Sequence, residues 1–332
     1  VFPKEFADEE DIYPPVGTAP YIFSQWQKGE KIVFENNPDY WGDIGKYGQV
    51  EIFGRSDKFE RVDLLTEQGA DFLAFTPFDA VSALEDAGFK TVAIPSLEVQ
   101  FLIFNFDSKI FKDSQARKMI SLAIDPNDLV DLVGGFATAS TQFVSNGILG
   151  FSPKLAEHQY NLLEAEKIAN EFELKGRTIK FTLSKGLDVL GEYVREQMRK
   201  IGVRVIVSYL DGAELYESMF AGDSDFYFLA FKSDFGDASS FYDVLVHSLG
   251  EFNIAKYRDE FVDKLIEESR VEMDASIRRK NLQKIMEILV GDNFGVPLFE
   301  YETVYSMPQN VSITPRIDGF IYFDDIKIEN GI

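Results

Sequence analysis

Asp234 and Asp237 stand three residues apart in S-D-F-G-D-A, with Gly236 between them, directly after six uninterrupted apolar residues, Phe226 to Phe231. Two carboxylates so spaced could act as a general acid and a general base, provided a nucleophile, a metal or a histidine stood with them. The chain supplies little of that company. It has no cysteine and only two histidines, His158 and His247, neither with a second histidine at ligand spacing. Disulfides and thiolate chemistry are excluded, and neither a zinc site nor a Ser-His triad is credible. With 56 aspartates and glutamates in the chain, close acid pairs arise from composition alone. The pair is therefore read first as turn and cap chemistry, with Asp237 as a cap and a helix that can begin after the small residues Ala238 to Ser240. Gly134-Gly135 reads as a helix stop, and no phosphate-cradling glycine motif accompanies it.

The elements that must position these side chains follow from periodicity. The run 226–231 is short and aromatic, which predicts a strand buried on both faces. A buried strand that ends in an acidic, glycine-containing loop before a helix is where open α/β sheets place ligands. From 161 onward the pattern is regular: helices over 162–174, 187–201 and 213–220 alternate with strands over 178–183, 203–209 and 226–231. Leu190, Tyr193, Val194, Met198 and Ile201 form one apolar stripe of the middle helix. Two more helices, 260–273 and 274–290, precede a strand over 296–306.

Upstream, residues 1–15 read as an irregular lead-in and 17–35 as a β-hairpin turning at Lys28-Gly29-Glu30. Trp26 and Trp41 in and after it are expected to be core anchors. A strand at 49–53, a helix at 59–68, a strand at 71–75, a helix at 77–86 and a strand at 89–94 alternate, which predicts parallel pairing. A further strand, 98–106, leads to a helix capped by Asp113-Ser114 and another opened by Pro126.

Composition bounds the function. The 332 residues, 45% apolar and 14% aromatic, suffice for two filled cores. A formal charge of −23 repels phosphate backbones and anionic lipid, which argues against nucleic acid as a partner. No run reaches the length of an apolar membrane span, and the start at Val1 reads as a processed or truncated end.

Several segments together resemble the extracellular solute-binding proteins of the oligopeptide, dipeptide and nickel import class, solute-binding family 5. They are G-T-A-P-Y from Gly17, the turn K-G-E from Lys28 and N-P-D-Y-W-G from Asn37. Gly69-Ala70-Asp71, the run K-D-S-Q-A-R-K-M-I-S-L-A-I-D-P-N-D-L-V from Lys112, and S-D-F-G-D-A from Ser233 extend the likeness over nearly the whole chain. The family's usual residue is replaced at Ala19, Pro126 and Ala238.

The resemblance implies an α/β, two-lobed periplasmic-binding-protein-like fold of the class II, peptide-binding type, with the first lobe incomplete at its N-terminal side. Lobe I would comprise 1–106 and 294–332 and lobe II 107–293, with hinge crossings near 99–105 and 296–305. It implies a substrate-binding component of an ABC importer that takes an extracellular peptide or related small solute in the interlobe cleft. The protein would hand its ligand to a membrane permease, and it would be periplasmic or extracellular and monomeric. A lipidated N-terminal anchor outside this sequence is a further expectation. Neither a cofactor nor a metal is implied, and no enzymatic activity.

Within the site, the resemblance assigns Asp234 to the ligand's α-ammonium. Phe231, Lys232 and Phe235 flank it, with core the preferred reading for Phe231. Lys232, Arg195 and Lys185 are the cations available to a ligand carboxylate. Two other readings stand beside this one: a carboxylate-dependent hydrolase using Asp234 and Asp237, and a sensory or regulatory module built on the same fold.

Overall fold

The computed structural model describes residues 15–156, 159–233 and 236–329. The chain forms two compact units, Val1–Ile94 with Thr303–Ile332, and Pro95–Glu302. The segments 95–106 and 294–302 thus pack in the second unit.

The first unit begins with β1 (Tyr21–Gln27), β2 (Lys31–Asn36) and β3 (Gln49–Phe53), an antiparallel sheet in that order. α1 (Lys58–Thr66) starts at Asp57, whose carboxylate accepts the Phe59 N–H at 2.8 Å and the Glu60 N–H at 3.1 Å. These donors have no partner within the helix, so the side chain replaces water there. α2 (Val81–Asp86) follows a short 3₁₀ turn at Phe78–Ala80. The expected strand at 71–75 reduces to one bridge, Leu73 with Ser306.

The parallel pairing expected in this region is also corrected, because every described pairing of the first unit is antiparallel. Helix–strand alternation predicts parallel strands only when successive strands join one sheet, and here they do not. Trp26 and Trp41 are not core anchors: they are 49% and 84% exposed, and within β1–β3 Val33 is the buried side chain.

The strands expected at 89–94 and 98–106 are one element, β4 (Lys90–Phe104), fifteen residues long and passing through Pro95 from the first unit into the second. The second unit continues with α3 (Ser114–Ala123), α4 (Pro126–Leu132) and β5 (Ala137–Ala139). Asp113 caps α3 and Asp125 caps α4. Next come α5 (Leu162–Glu171), β6 (Thr178–Ser184), α6 (Asp188–Lys200), β7 (Arg204–Leu210), α7 (Gly212–Ala221) and β8 (Phe226–Lys232). α8 (Ser239–Phe241) runs into a π turn, Tyr242–Val246, before α9 (Glu260–Val271) and α10 (Ala275–Gly291). β9 (Gly295–Met307) returns the chain to the first unit, where β10 (Val311–Ile313) pairs antiparallel with β11 (Ile326–Ile328).

Six strands of the second unit form one mixed sheet in the order β5-β9-β4-β8-β6-β7. β6 is parallel to β7 and β8, whereas β4 is antiparallel to β8 and β5 to β9. Alternate residues serve two cores, as the period of two requires. Leu102 and Phe104 of β4, with Phe226 and Phe228 of β8, pack with α3, α5 and α6. Phe101, Ile103 and Tyr227 pack with the turn after α8 and with α9 and α10 on the other face. The Phe181 and Phe226 rings stack at 4.5 Å between fully buried positions, each worth about 2 kcal/mol in surface removed from water.

Candidate functional site

The carboxyl end of β8 differs from its start. Phe226, Tyr227 and Phe228 are buried, but Leu229, Phe231 and Lys232 are half-buried and Ala230 is exposed. The expectation of burial on both faces therefore holds only for the first half. The reason lies in the ladder: β6 pairs with Phe226 and Tyr227 only, while β4 pairs along all of β8 from Phe226 to Lys232. Beyond Tyr227 the described pairing of β8 is on one side, which leaves a strand edge beside the half-buried side chains.

On the paired side, Lys232 lies opposite Glu98. Glu98 in turn accepts a 2.5 Å hydrogen bond from the buried Gln100 amide. Burial pushes the Tyr301 hydroxyl above its ordinary pKa, and the charge of Glu98 adds to that. The fully buried Ser233 closes the strand, its N–H donating to Leu97 O at 3.2 Å.

Asp234 and Phe235, the first two residues after Ser233 and both assigned to the ligand by sequence, lie outside the described residues, as does His158. The chain is held again immediately beyond them. Leu149 N–H donates to Gly236 O at 3.0 Å and Ala238 N–H to Leu149 O at 2.9 Å. Gly236 is left-handed at φ 72°, a conformation that suits glycine.

Asp237 then does two jobs. One oxygen accepts the Ser239 N–H at 2.8 Å and the Ser239 hydroxyl, which closes a turn just ahead of α8, whose N-cap position is Ala238. The other accepts from Arg278 of α10 at 2.7 Å. Burial raises its carboxyl pKa, yet the bonds from Arg278 and Ser239 outweigh burial and hold it below the ordinary value. A carboxylate so committed is a strut rather than a proton donor.

Arg195 is not brought to this end. It sits on α6, bonded to Glu192 of its own helix at 2.7 and 2.9 Å. α6 packs on the face of Phe226 and Phe228, whereas Phe231 belongs to the opposite face. Phe231 meets the buried Phe241 edge-on at 5.2 Å, so core contact is part of its role. Lys185 lies 3.4 Å from Asp211, and the buried His247 accepts from Leu249 N–H at 3.1 Å. A depression of about 790 Å³, lined by Asn105, Thr178, Lys180, Arg204 and Asp225, opens at the other end of the sheet.

Sequence reasoning passed over Arg278, Glu98, Gln100 and Glu300. Arg278 carries no local signal, since an arginine in the first turns of a charged helix is ordinary. E-V-Q before an apolar run did show two polar side chains on one face of a strand. Among the described residues no group of three or more His, Cys, Asp or Glu could hold a metal, and no helix is long and apolar enough to cross a membrane.

Residues 2–253 match the family described as bacterial extracellular solute-binding proteins, family 5 Middle. Over 314 residues the chain is 22% identical to the probable D,D-dipeptide-binding periplasmic protein of Escherichia coli strain K12, covering 92% of this chain and 60% of that protein. It thus spans less than two thirds of that relative's length. An ABC transporter substrate binding protein from Listeria monocytogenes superposes with a TM-score of 0.89 at 18% identity, covering 99% of this chain and 72% of the other. The ABC transporter-associated periplasmic binding protein of Helicobacter pylori, in complex with the peptide STSA, superposes at 0.81 and 20% identity, covering 95% and 64%. At these identities the superpositions establish the fold.

Proposed function

We propose, from the premise that this chain belongs to the bacterial extracellular solute-binding proteins of family 5, that it binds a peptide and delivers it to an ABC importer. The family match over residues 2–253 carries the reading. No covalent step is involved, so specificity resides in the site alone, and the place of work is outside the cytoplasmic membrane.

The carboxyl end of β8 supports a peptide over other solutes. An extended ligand needs main-chain partners as well as side-chain ones, and a strand edge supplies them independently of ligand sequence. Beyond Tyr227, β8 is paired by β4 alone, next to the half-buried Phe231 and Lys232. In this reading Asp234 takes the α-ammonium, and Phe231, Lys232 and Phe235 contact the first residues of the peptide. A charge-assisted bond to an ammonium in a poorly hydrated site is about twice as strong as a neutral one. Arg195 is given no ligand role, since its guanidinium is held by Glu192 of its own helix.

The test is calorimetric titration of the tetrapeptide Ser-Thr-Ser-Ala and its N-acetylated form into the protein and into Asp234→Ala. Binding of the free peptide, with at least tenfold loss on acetylation and on substitution, supports the reading. Equal affinity of the variant and the parent would show that Asp234 is not the ammonium partner. Failure of a random peptide library to shift the parent's melting temperature would remove peptide as the ligand class.

A further inference from the structure

Glu300 of β9 is a half-buried carboxylate that has no ion pair with a cation among the described residues. Thr138 of β5 lies opposite it in the ladder. Its one described donor is the Ser140 hydroxyl at 3.3 Å. That hydroxyl has a single hydrogen and a shorter bond to Gln142 O at 2.9 Å, so Glu300 receives at best a shared proton. Burial pushes its carboxyl above the ordinary value; the hydroxyls of Ser145 and Ser140 oppose that, and no charged side chain contributes. The Ser145 hydroxyl, on a residue 1% exposed, has no hydrogen-bond partner of its own. It stands near enough to Glu300 to ease its charge. A buried orphan hydroxyl beside an unpaired carboxylate is a double cost that a folded chain rarely carries without use.

Strand geometry singles out the same residue. Leu298 and Phe299 are consecutive, yet both belong to the core beneath α3, α5 and α6, and Tyr301 packs there too. The in–out alternation of β9 therefore slips by one residue, which turns Glu300 to the opposite face. Such slips re-aim side chains next to functional sites. That opposite face carries Phe231 of β8. β9 lies two strands from β8, with β4 between them, or roughly 10 Å at ordinary strand spacing. The Phe104 N–H bonds to Phe294 O at 3.3 Å, so β9 runs back along β4 and brings Glu300 near the level of Glu98, which pairs with Lys232.

We infer that Glu300, with the hydroxyls of Ser140 and Ser145, is a second anchor that receives a cationic side chain of the ligand, and that the preferred peptides therefore carry lysine or arginine. This rests on the peptide reading above. The roughly 10 Å from Glu300 to β8 is close to three residues of extended peptide, or fewer when a lysine side chain reaches across. Asp234 and Glu300 then address different charges of one ligand. Ligand ammonium supplies what the site lacks: a counter-charge for the carboxylate and a donor that frees Ser140 and Ser145 to bond around it.

The experiment measures affinities of Ala-Lys-Ala and Ala-Ala-Ala for the protein, Glu300→Gln and Glu300→Asp by calorimetry, with n-butylammonium chloride as a non-peptide cation in thermal shift. The parent should prefer Ala-Lys-Ala by about tenfold. Glu300→Gln should bring that ratio close to one, and Glu300→Asp should restore part of it. An unchanged ratio in Glu300→Gln, or equal loss of both peptides, overturns the inference and leaves the peptide reading intact. If the parent binds neither peptide, the peptide reading fails and n-butylammonium decides the anchor. Stabilisation of the parent but not of Glu300→Gln upholds it, and no difference between them overturns it.

Discussion

Arg278 of α10 donates to Asp237 across 2.7 Å, and both side chains are about four-fifths buried, at 21% and 18% exposure. The bond ties the segment after β8 to a helix that begins thirty-eight residues later, at Ala275. Removing one partner strands the other as a buried charge, which costs more than the pair is worth. Arg278→Met and Asp237→Asn should each lower unfolding free energy by roughly 2–3 kcal/mol in urea titrations. The double variant should lose less than the sum of the two. Because the folded pKa of Asp237 lies below its ordinary value of 3.8, its contribution is complete above that value and fades as pH falls below it. The stability gap between the parent and Asp237→Asn should thus be constant from pH 7 to about 5 and close in stronger acid.

Arg117 provides a second internal strut and a sharper discrimination between cations. Its guanidinium lies 4.2 Å from the Phe106 ring centre and donates to the carbonyls of Phe111 at 2.6 Å, Asp292 at 2.9 Å and Asn293 at 3.2 Å. Lysine keeps the charge but offers a compact ammonium that cannot span these acceptors. Arg117→Lys should therefore destabilise nearly as much as Arg117→Met, by about 3 kcal/mol in chemical denaturation. Recovery of most of the stability by lysine would show that charge, not the fork, is what the site uses.

What could be read in the sequence divides along the two units. From 161 to 290 the helices and strands of the second unit were legible, because each apolar stripe has a core to face and three of the helices are capped by Asn161, Asp259 and Asp274. In the first unit the same reasoning turned Asp71 to Phe75 into a strand and the tryptophans into core, since apolar periodicity records the wish for a partner and not its presence. The short β5 showed no run to read. At the candidate site, Asp237 as turn chemistry was visible because an Asp that bonds the backbone two residues on is a local signal, whereas the cap position itself falls to Ala238. Arg278 and Glu300 were not, because one acts across forty-one residues and the other depends on a slip in strand alternation.

Gly150 offers a test of how tightly the segment beyond β8 is seated. Its φ is +116°, and a Cβ there would lie 2.7 Å from the Ala238 Cβ and 3.3 Å from that of Leu282. Ala238 is fully buried and bonded to Leu149, so it cannot retreat. Gly150→Ala combines backbone strain with this clash and should cost about 2–4 kcal/mol, seen as a lowered melting temperature. Ala238→Gly removes one atom of the clash, so Gly150→Ala should be less harmful in that background. Additivity of the two changes would place the cost in the backbone alone.

Glu300 predicts a stability effect opposite in sign to that of Asp237. Its folded pKa is raised by burial, so the folded state holds the proton more tightly than the unfolded chain does. Its contribution to stability is therefore greatest in acid, falls as pH rises from about the ordinary value of 4.5 through the folded value, and stays reduced above it. Glu300→Gln removes the charge while keeping the shape, and in the ligand-free protein it should raise the melting temperature at pH 7. The advantage should disappear below pH 4.5, where the parent carboxyl is protonated in both states. A residue that stabilises the free protein when neutralised, yet weakens binding of Ala-Lys-Ala, trades folding for recognition. A lower melting temperature for Glu300→Gln at pH 7 would instead make the carboxylate a structural acceptor for Ser140, and the anchor would lose its physical basis.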